Sequence, residues 1–359
     1  MRLIVAALLL LASLSPRVAA AGRPAQLVIE DNDFLGPGGS DLQSTIPLLG
    51  DRNVRVLGFT VVVGDAWENA ASAHLRRFLE IAGRGDVPVF DGATLPLLDS
   101  VARMRVWEAQ YGTIPWKGAW GGVGSIKGVP DSQPPVPTLP EGAPHLAASS
   151  ERAADFLIRA VHAHPHQVSI VAAGPLTNLA LAVRLDPSFA QAARQLVFMG
   201  GLLDTSMESV TGNADYASDF NMIFDPEAAH IVLTADWPRI VSVGNVSNSL
   251  MMTKALMARV AATHTPLTAY LRQYYQALPM WDEMTAAVAV DPSLVTRSVV
   301  ARLDIDTSHG MDYGHAHVWP PSLAPKAMDL RPVVIVQAID TTRFLDSLVH
   351  EAQAIGRNP

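Results

Sequence analysis

Short apolar, β-branched runs alternate with helical patterns along most of this chain, and this alternation restricts the possible folds more than any other feature. Strands that alternate with helices pair in parallel, which predicts an α/β fold in which a mostly parallel, doubly wound, Rossmann-like sheet forms the centre. In such folds the functional site forms at the carboxyl ends of the strands. The predicted strands are Leu27 to Ile29, Val54 to Val63, Val87 to Phe90, Val168 to Ala173, Gln195 to Met199, Arg239 to Val243 and Val333 to Ala338. The helical patterns between them include Ala66 to Ala82, Ala153 to His162 and Pro175 to Arg184.

The composition favours one large domain with a large core. The chain has 359 residues, 49% of them hydrophobic, and contains no stretch of linker composition. Its net charge of -8 and its lack of clustered Lys and Arg argue against a nucleic-acid partner. We therefore expect a single domain over residues 22–359.

The first 21 residues have the pattern of a signal peptide. One basic residue, Arg2, precedes an apolar stretch too short to span a bilayer, and small residues follow at Val18 to Ala21. The alternative is a buried amphipathic first helix, which the all-round apolar character disfavours. We expect an exported, periplasmic or secreted protein with no membrane segment after cleavage. The absence of cysteine excludes disulfides and thiolate metal sites.

Three acidic residues lie close together in sequence at the end of the first predicted strand. Asp31 and Asp33 come shortly after this strand, and the glycine-rich turn Gly36 to Gly39 leads to Asp41. Carboxylates this close repel one another, so a bound cation or shared protons must offset the repulsion. The alternative is an ordinary turn, since Asp and Asn also favour loops. We interpret the pattern as a metal-dependent active site.

The stretch from Tyr111 to Pro144 is rich in Gly, Pro and Trp and has neither helical nor strand periodicity. A loop of this length inside a compact domain usually covers a site or moves over one.

Three later motifs, in order after the acidic loop, give the chain a family resemblance. The first is Ala172 to Asn178, the second runs from Gly212-Asn213 through Asp219-Phe220-Asn221 to Asp225 to Ala229, and the third is Trp281-Asp282 before Ala286 to Ala289. Together they resemble the inosine-uridine preferring nucleoside hydrolase family, from about Gln26 to the segment Asp340 to Phe344.

The resemblance implies one Ca²⁺ ion, held by all-oxygen ligands that suit a hard cation. By motif position, Asp33, Asp41 and Asp282 match the metal-binding acids, and Ala173 matches the carbonyl donor. Asp31 matches a flanking acid and is a reserve ligand. The resemblance also implies a nucleoside substrate and a homo-oligomer, either a dimer or a tetramer.

The resemblance further implies hydrolysis of an N-glycosidic bond, which passes through an oxocarbenium-like sugar. Asp33 matches the general base that acts on the attacking water. Asn213, Asp219 and Asn221 match the groups that bind and position the ribose. The alternative interpretation is that these three are ordinary surface loop residues, and their spacing favours the ribose-binding role.

The chain departs from the family pattern at several positions. Ser40 stands where an acid is usual, and extra residues separate Asp33 from Gly39. Asp65 replaces the usual asparagine after the second strand and is a predicted substrate contact. Trp281 replaces a histidine that many members carry, and tryptophan cannot donate a proton to the departing base. We expect stacking on a purine to substitute for this proton transfer, with Trp281, Trp67, Trp116 and Trp120 as candidate wall residues. For any single tryptophan, core packing is an equally good interpretation.

Local patterns give simpler interpretations for several of these residues. Ser40 with Gln43, and Asp65 with Glu68, have the spacing of helix caps, which we favour for Ser40 and leave open for Asp65. Asp225 before Pro226 predicts a helix start. The alternating histidines at 162–166 and 315–317 lack a matching second cluster, so we expect solvated edges or loops there rather than metal sites.

The expected protein is thus an exported, calcium-dependent hydrolase that converts a nucleoside and water to ribose and free base, with purines preferred. Two alternatives stay open from the sequence. One is a periplasmic nucleoside- or sugar-binding module that keeps the fold but lacks turnover. The other is an enzyme that acts on a different N-glycoside or another furanoside.

Overall fold

A nine-stranded sheet forms the centre of the structure, a computed structural model that describes residues 25–121, 130–201 and 219–356. The strand order across the sheet is β3-β2-β1-β4-β5-β6-β9-β7-β8. The strands are β1 (Gln26–Asn32), β2 (Val54–Val61), β3 (Val89–Asp91), β4 (Val168–Ala172), β5 (Gln195–Met199), β6 (Ile240–Val243), β7 (Val295–Ile305), β8 (Ala316–Trp319) and β9 (Pro332–Ile339). Strands β1 to β6 and β9 pair in parallel, whereas β7 is antiparallel to both β9 and β8.

Helices follow most of the strands and lie on both faces of the sheet. In chain order they are α1 (Ser40–Gln43), α2 (Thr45–Gly50), α3 (Glu68–Ile81), α4 (Val101–Tyr111), α5 (Ala153–Ala163), α6 (Thr177–Leu185), α7 (Phe189–Ala192), α8 (Phe220–Phe224), α9 (Pro226–Leu233), α10 (Lys254–Val260), α11 (Pro266–Gln273), α12 (Trp281–Val290) and α13 (Thr341–Ala354). The predicted α/β fold with a doubly wound sheet is confirmed. Within the described ranges, no helix combines the length and apolar character that crossing a bilayer requires.

Alternate residues of each strand supply the two halves of the core. Val28 and Val171 point to the face covered by α2, α3 and α10 to α13, whereas Ile29 and Ile170 point to the face covered by α5, α6, α7 and α9. These four side chains are fully buried. Strands buried on both faces read as continuous apolar runs, which is why the sequence revealed them.

All seven predicted strands are present, but β7 and β8 were not predicted. The first half of β7 is mostly exposed and mixes Thr296, Arg297 and Ser298 with valines, so it lacks the apolar run of a central strand. His317 lies in β8, at the edge of the sheet, as expected for a solvated histidine. The proposed signal peptide, residues 1–21, lies outside the described residues.

Candidate active site

The site lies where the winding of the sheet reverses. From β1 the chain continues to β2 and β3 on one side, whereas β4, β5 and β6 extend the sheet on the other. At such a switch point the loops after neighbouring strands separate and leave a crevice. Asp33 follows β1 and Ala173 follows β4, so the strand ends place two predicted site residues on the two sides of this crevice.

Asp33 is held by backbone groups from both neighbouring loops. Its Oδ2 accepts a hydrogen bond of 2.6 Å from the backbone N–H of Asp65, and the side chain is 2% exposed. Gly64 and Gly174 enclose the carboxylate so closely that a Cβ at Gly64 would collide with Oδ2, and one at Gly174 would lie 2.8 Å from Oδ1. The space for this carboxylate therefore depends on two residues without side chains.

Asp41 and Asp65 bring their carboxylates to Asp33. One carboxylate oxygen from each of the three residues lies within 4.8 Å of the other two. Asp33 and Asp41 are buried, and Asp65 is partly exposed. Asp41 is fixed by the backbone N–H of Leu35, which donates to its Oδ2 at 2.8 Å. Oxygen atoms grouped at this spacing suit a single hard cation.

Asp282 approaches the same group from the first turn of α12. The side chain of Asn32, between Asp31 and Asp33, reaches both Oδ2 of Asp282 at 3.5 Å and the carbonyl oxygen of Asp41 at 3.3 Å. Asp282 is 4% exposed. Asp282 therefore lies close to the loop after β1, although it is 250 residues from Asn32 in the sequence. It lies beside the Asp33, Asp41 and Asp65 group rather than within it.

Ser40 joins the helix that carries Asp41 to the helix that carries Asp282. Its hydroxyl accepts from the backbone N–H of Asp282 at 2.9 Å and donates to Oε2 of Glu283 at 2.6 Å. Ser40 is the first residue of α1 and makes no side-chain cap, so the predicted capping role was wrong. Asp65 does not cap α3 either, because Trp67 occupies the N-cap position.

Burial and mutual repulsion dominate the electrostatics of the site. Burial, followed by the charges of Asp65 and Asp41, raises the pKa of Asp33. Burial raises the pKa of Asp41 to about 6, and burial together with Asp41 and Asp33 raises the pKa of Asp282. A divalent cation would offset both costs, since an adjacent positive charge favours the ionised form.

Asp31 lies within β1, two residues before Asp33. Its Oδ1 accepts from the hydroxyl of Thr60 at 2.5 Å and from Nδ2 of Asn178 at 2.8 Å. Asn178 also donates to the carbonyl oxygen of Val61 at 2.9 Å. Asp31 therefore joins β1 to β2 and α6, and it is not part of the group formed by the other three acids.

Two of the predicted ribose-binding residues, Asp219 and Asn221, lie on the β4 and β5 side of the crevice. Nδ2 of Asn221 donates to the carbonyl oxygen of Ala173 at 2.7 Å, so the predicted carbonyl donor and this amide are in direct contact. Asp219 is the N-cap of α8, where its Oδ1 accepts from the backbone N–H of Met222 at 3.1 Å. Asn213 lies outside the described residues.

The four candidate tryptophans divide into two pairs. Trp67 and Trp120 are 0% and 2% exposed and pack with Met104 and other apolar residues, an arrangement that core packing explains and that argues against contact with a base. Trp116 and Trp281 are partly exposed. Nε1 of Trp116 donates to Oδ1 of Asp65, and Nε1 of Trp281 donates to Oδ1 of Asn248 at 2.7 Å.

Comparison with known proteins decides the family. The model of the inosine-uridine preferring nucleoside hydrolase family matches residues 28–346. The chain belongs to this family.

Individual relatives agree with this membership. The chain is 32% identical over 283 residues to a probable uridine nucleosidase 2 of Arabidopsis thaliana, with 75% of this chain and 79% of the relative covered. It is 25% identical over 334 residues to the inosine-uridine preferring nucleoside hydrolase of Leishmania major, with 89% and 96% covered. A solved plant nucleoside hydrolase superposes with a TM-score of 0.71 at 26% identity and covers 92% of this chain and 100% of its own.

Nucleoside hydrolases cleave nucleosides and depend on a metal in general, so this chain is an enzyme of that type. Its acid group differs from the predicted ligand set because Asp65, expected to contact substrate, is a member. Sequence reasoning also missed Glu283 and Glu30, which are 1% and 0% exposed behind the site. The available signal was adjacency, because each directly neighbours a predicted metal-binding acid.

Proposed function

We propose that this enzyme is a calcium-dependent hydrolase that cleaves the N-glycosidic bond of purine ribonucleosides and releases ribose and free base. The observation that carries the proposal is the group of three carboxylate oxygens, from Asp33, Asp41 and Asp65, within 4.8 Å of one another at the switch point of a nucleoside hydrolase sheet.

The chemistry of the donor set fits calcium. Every candidate ligand offers oxygen, from the carboxylates of Asp33, Asp41 and Asp282 and the carbonyl of Ala173, and hard cations prefer oxygen. Asp65 adds a further carboxylate to this set. A divalent cation, when bound, supplies positive charge that lowers the pKa of water and attracts the sugar hydroxyls.

Asp33 is the proposed general base. The backbone N–H of Asp65 and the close approach of Gly64 and Gly174 restrict its carboxylate to one orientation. Asp33 accepts a proton from water as the water oxygen bonds to the anomeric carbon. The bond from that carbon to the base nitrogen breaks, and the base leaves with the electron pair and takes up a proton from solvent. Asp33 then releases its proton to solvent, which balances the reaction.

Asn221 and Asp219, together with Asn213, are the proposed ribose-binding residues. The contact between Asn221 and the carbonyl of Ala173 supports this assignment, because it brings an amide next to a proposed metal ligand. A sugar that contacts both would be held with its anomeric carbon near Asp33, and such positioning contributes much of the rate in this type of reaction.

The preference for purines rests on Trp116 and Trp281. Both rings are partly exposed, and Trp116 is anchored to Asp65 within the acid group, so its position is suited to contact a bound nucleoside. Purines offer a larger stacking surface than pyrimidines. Relatives are named for uridine as well as for inosine, so relative rates on inosine and uridine test this part of the proposal. Faster turnover of uridine would reject it.

Export and self-association complete the proposal. Residues 1–21 have the signal-peptide pattern described above, and N-terminal sequencing of the protein recovered from its native compartment should give a mature chain that starts near Ala21. Light scattering should give the mass of a dimer or tetramer.

The test of the function is release of free base from a nucleoside panel, with and without a chelator. We expect hydrolysis by the wild-type enzyme, its loss on chelation and its recovery on adding calcium. Asp33→Ala should abolish turnover, whereas Asp186→Asn, at a surface acid that pairs with His162, should leave turnover intact. Full activity in excess chelator would reject calcium dependence, and full activity of Asp33→Ala would reject the assigned base.

A further inference from the structure

The turn Gly36 to Gly39, which separates Asp33 from Asp41, is enclosed by residues from three distant segments. His74 from α3 and Glu141 from the long segment after α4 lie on one side of the turn. Tyr270 from α11 and Gln276 beyond its end lie on the other. A turn rich in glycine has little stiffness of its own, so its conformation depends on such external contacts.

His74 and Glu141 form a buried pair directly behind the turn. Nδ1 of His74 contacts Oε1 of Glu141, and the two side chains are 7% and 1% exposed. The imidazole packs against Gly36 so closely that a Cβ there would lie 2.5 Å from Cγ of His74. Removing either partner would leave the other buried without its counterpart, a costly arrangement.

The opposite side of the turn is held by hydrogen bonds. The backbone N–H of Gly38 donates to the hydroxyl of Tyr270 at 3.0 Å, and Nε2 of Gln276 donates to the carbonyl oxygen of Pro37 at 3.0 Å. Gly38 has a φ of +70°, and a Cβ there would collide with the carbonyl oxygen of Tyr274. The ring of Tyr270 packs edge-on against Phe78 of α3, which joins the two sides of the enclosure.

The far end of the turn carries Asp41, and the turn is closed through this residue. The backbone N–H of Leu35, just before the turn, donates to Oδ2 of Asp41 at 2.8 Å. Just after it, Nε2 of Gln43 donates to the carbonyl oxygen of Gly39 at 2.9 Å. A displacement of Gly36 or Gly38 would thus be transmitted to the carboxylate that is grouped with Asp33 and Asp65.

We propose that His74 and Glu141 are positioning residues that hold the Gly36 to Gly39 turn, and through it the Asp41 carboxylate, in the geometry that binds the metal. This role rests on the proposed calcium-dependent function. It gives the long segment after α4 a specific task, because Glu141 of that segment helps to support the metal-binding loop.

The test is calcium titration calorimetry on the folded full chain, with His74→Ala, Glu141→Ala, the double variant and Glu141→Gln. Supporting residues of metal sites typically contribute 10- to 100-fold to affinity, so each alanine variant should bind calcium roughly tenfold more weakly. Because the two residues act as one unit, the double variant should lose little more than either single variant. Glu141→Gln, which keeps an acceptor for His74, should retain more affinity than Glu141→Ala.

The matched control is His162→Ala, which breaks an exposed His–Asp pair at the end of α5. Circular dichroism and thermal unfolding in chelator show whether each variant is folded. If an alanine variant does not fold, the calcium affinity of Glu141→Gln tests the proposal in its place. The inference would be overturned if the folded variants bound calcium within twofold of the wild type and only their melting temperature were lower. The pair would then have a structural role alone. An equal loss in His162→Ala would also overturn the inference. If the wild-type chain itself bound no calcium, the proposed metal would be rejected, and the positioning role with it.

Discussion

The backbone N–H of Asp65 donates to Oδ2 of Asp33 at 2.6 Å, while the side chain of Asp65 joins the same acid group. One residue therefore both orients the proposed base and adds a negative charge beside it. The two contributions come from different atoms, so a substitution can separate them.

Asp65→Asn should weaken calcium binding by about tenfold, because the number of ligand charges tunes the affinity of a calcium site. The backbone bond to Asp33 persists, and the amide oxygen still offers an acceptor to Trp116. Calorimetry against Asp186→Asn, which removes a charge from the surface, measures the effect. Unchanged affinity would mean that Asp65 takes no part in holding the metal.

Ser40→Ala should destabilise the fold and weaken the link between α1 and α12. The hydroxyl is buried and contacts both the backbone N–H of Asp282 and the carboxyl group of Glu283, so its removal leaves both without this partner. The loss of unfolding free energy should be about 1–3 kcal/mol. Urea unfolding measures it, and Ser249→Ala, at an exposed hydroxyl, is the matched control. A loss no larger than that of the control would contradict the prediction.

Asp31→Asn separates a structural role from a ligand role. The amide oxygen of the variant can still accept from Thr60 and Asn178, so the fold should be retained. Since Asp31 lies outside the acid group, calcium affinity should change by less than about threefold, well below the effect of losing a supporting or direct ligand. A drop as large as that of Asp41→Asn would instead make Asp31 a ligand.

The chelated protein should lose stability as the pH rises. Burial raises the pKa of Glu30 and of Glu283 to about 8 each, against ~4.3 for glutamate in an unfolded chain. Between pH ~4.3 and about 8 the folded state binds more protons than the unfolded state, so the free energy of unfolding falls as the pH rises. The stability that the two protonated glutamates contribute is therefore lost once the pH passes about 8. The melting temperature in chelator should therefore be lower at about pH 8.5 than at about pH 5.5. The double substitution Glu30→Gln and Glu283→Gln should make the melting temperature depend less on pH. If the melting temperature of the double variant fell as steeply as that of the wild type, other groups would be responsible for the pH dependence.

Trp116→Phe and Trp116→Ala should differ in their effect on purines. Phenylalanine keeps an aromatic face and loses the bond to Asp65, whereas alanine loses both. If stacking selects the base, Trp116→Ala should lower kcat/KM for inosine by roughly fivefold to tenfold more than for uridine, as one stacking contact allows. Trp116→Phe should affect the two nucleosides alike. Equal losses for both nucleosides in the alanine variant would remove Trp116 from base selection.

The sequence predicted the parallel part of the sheet because strands such as β4 are buried along their whole length and read as unbroken apolar runs. It did not predict β7, whose exposed half depends on pairing with β9 rather than on its own apolar pattern. It predicted that Asp33, Asp41 and Asp282 share one site. In the structure Asp33 and Asp41 belong to one acid group and Asp282 lies beside that group, because parallel strand ends and the start of α12 face the same crevice.

Other parts of the site depend on contacts that no local pattern contains. Ser40 has the spacing of a cap, but its hydroxyl faces a helix that begins 241 positions later in the chain, which only the folded structure reveals. Asp65 turns into the acid group because its backbone is fixed to Asp33. His74 lies in a predicted helix and Glu141 in a stretch without periodicity, and no sequence motif links the two positions.

Gly64 and Gly174 have no reactive atom, yet a methyl group at either position would push into the carboxylate of Asp33. Glycine to alanine is a small, apolar change. At Gly64 or Gly174 it should nevertheless inactivate the enzyme as completely as the loss of one of the acids. We therefore expect that only glycine is tolerated at these two positions, although neither contributes a functional group to the reaction.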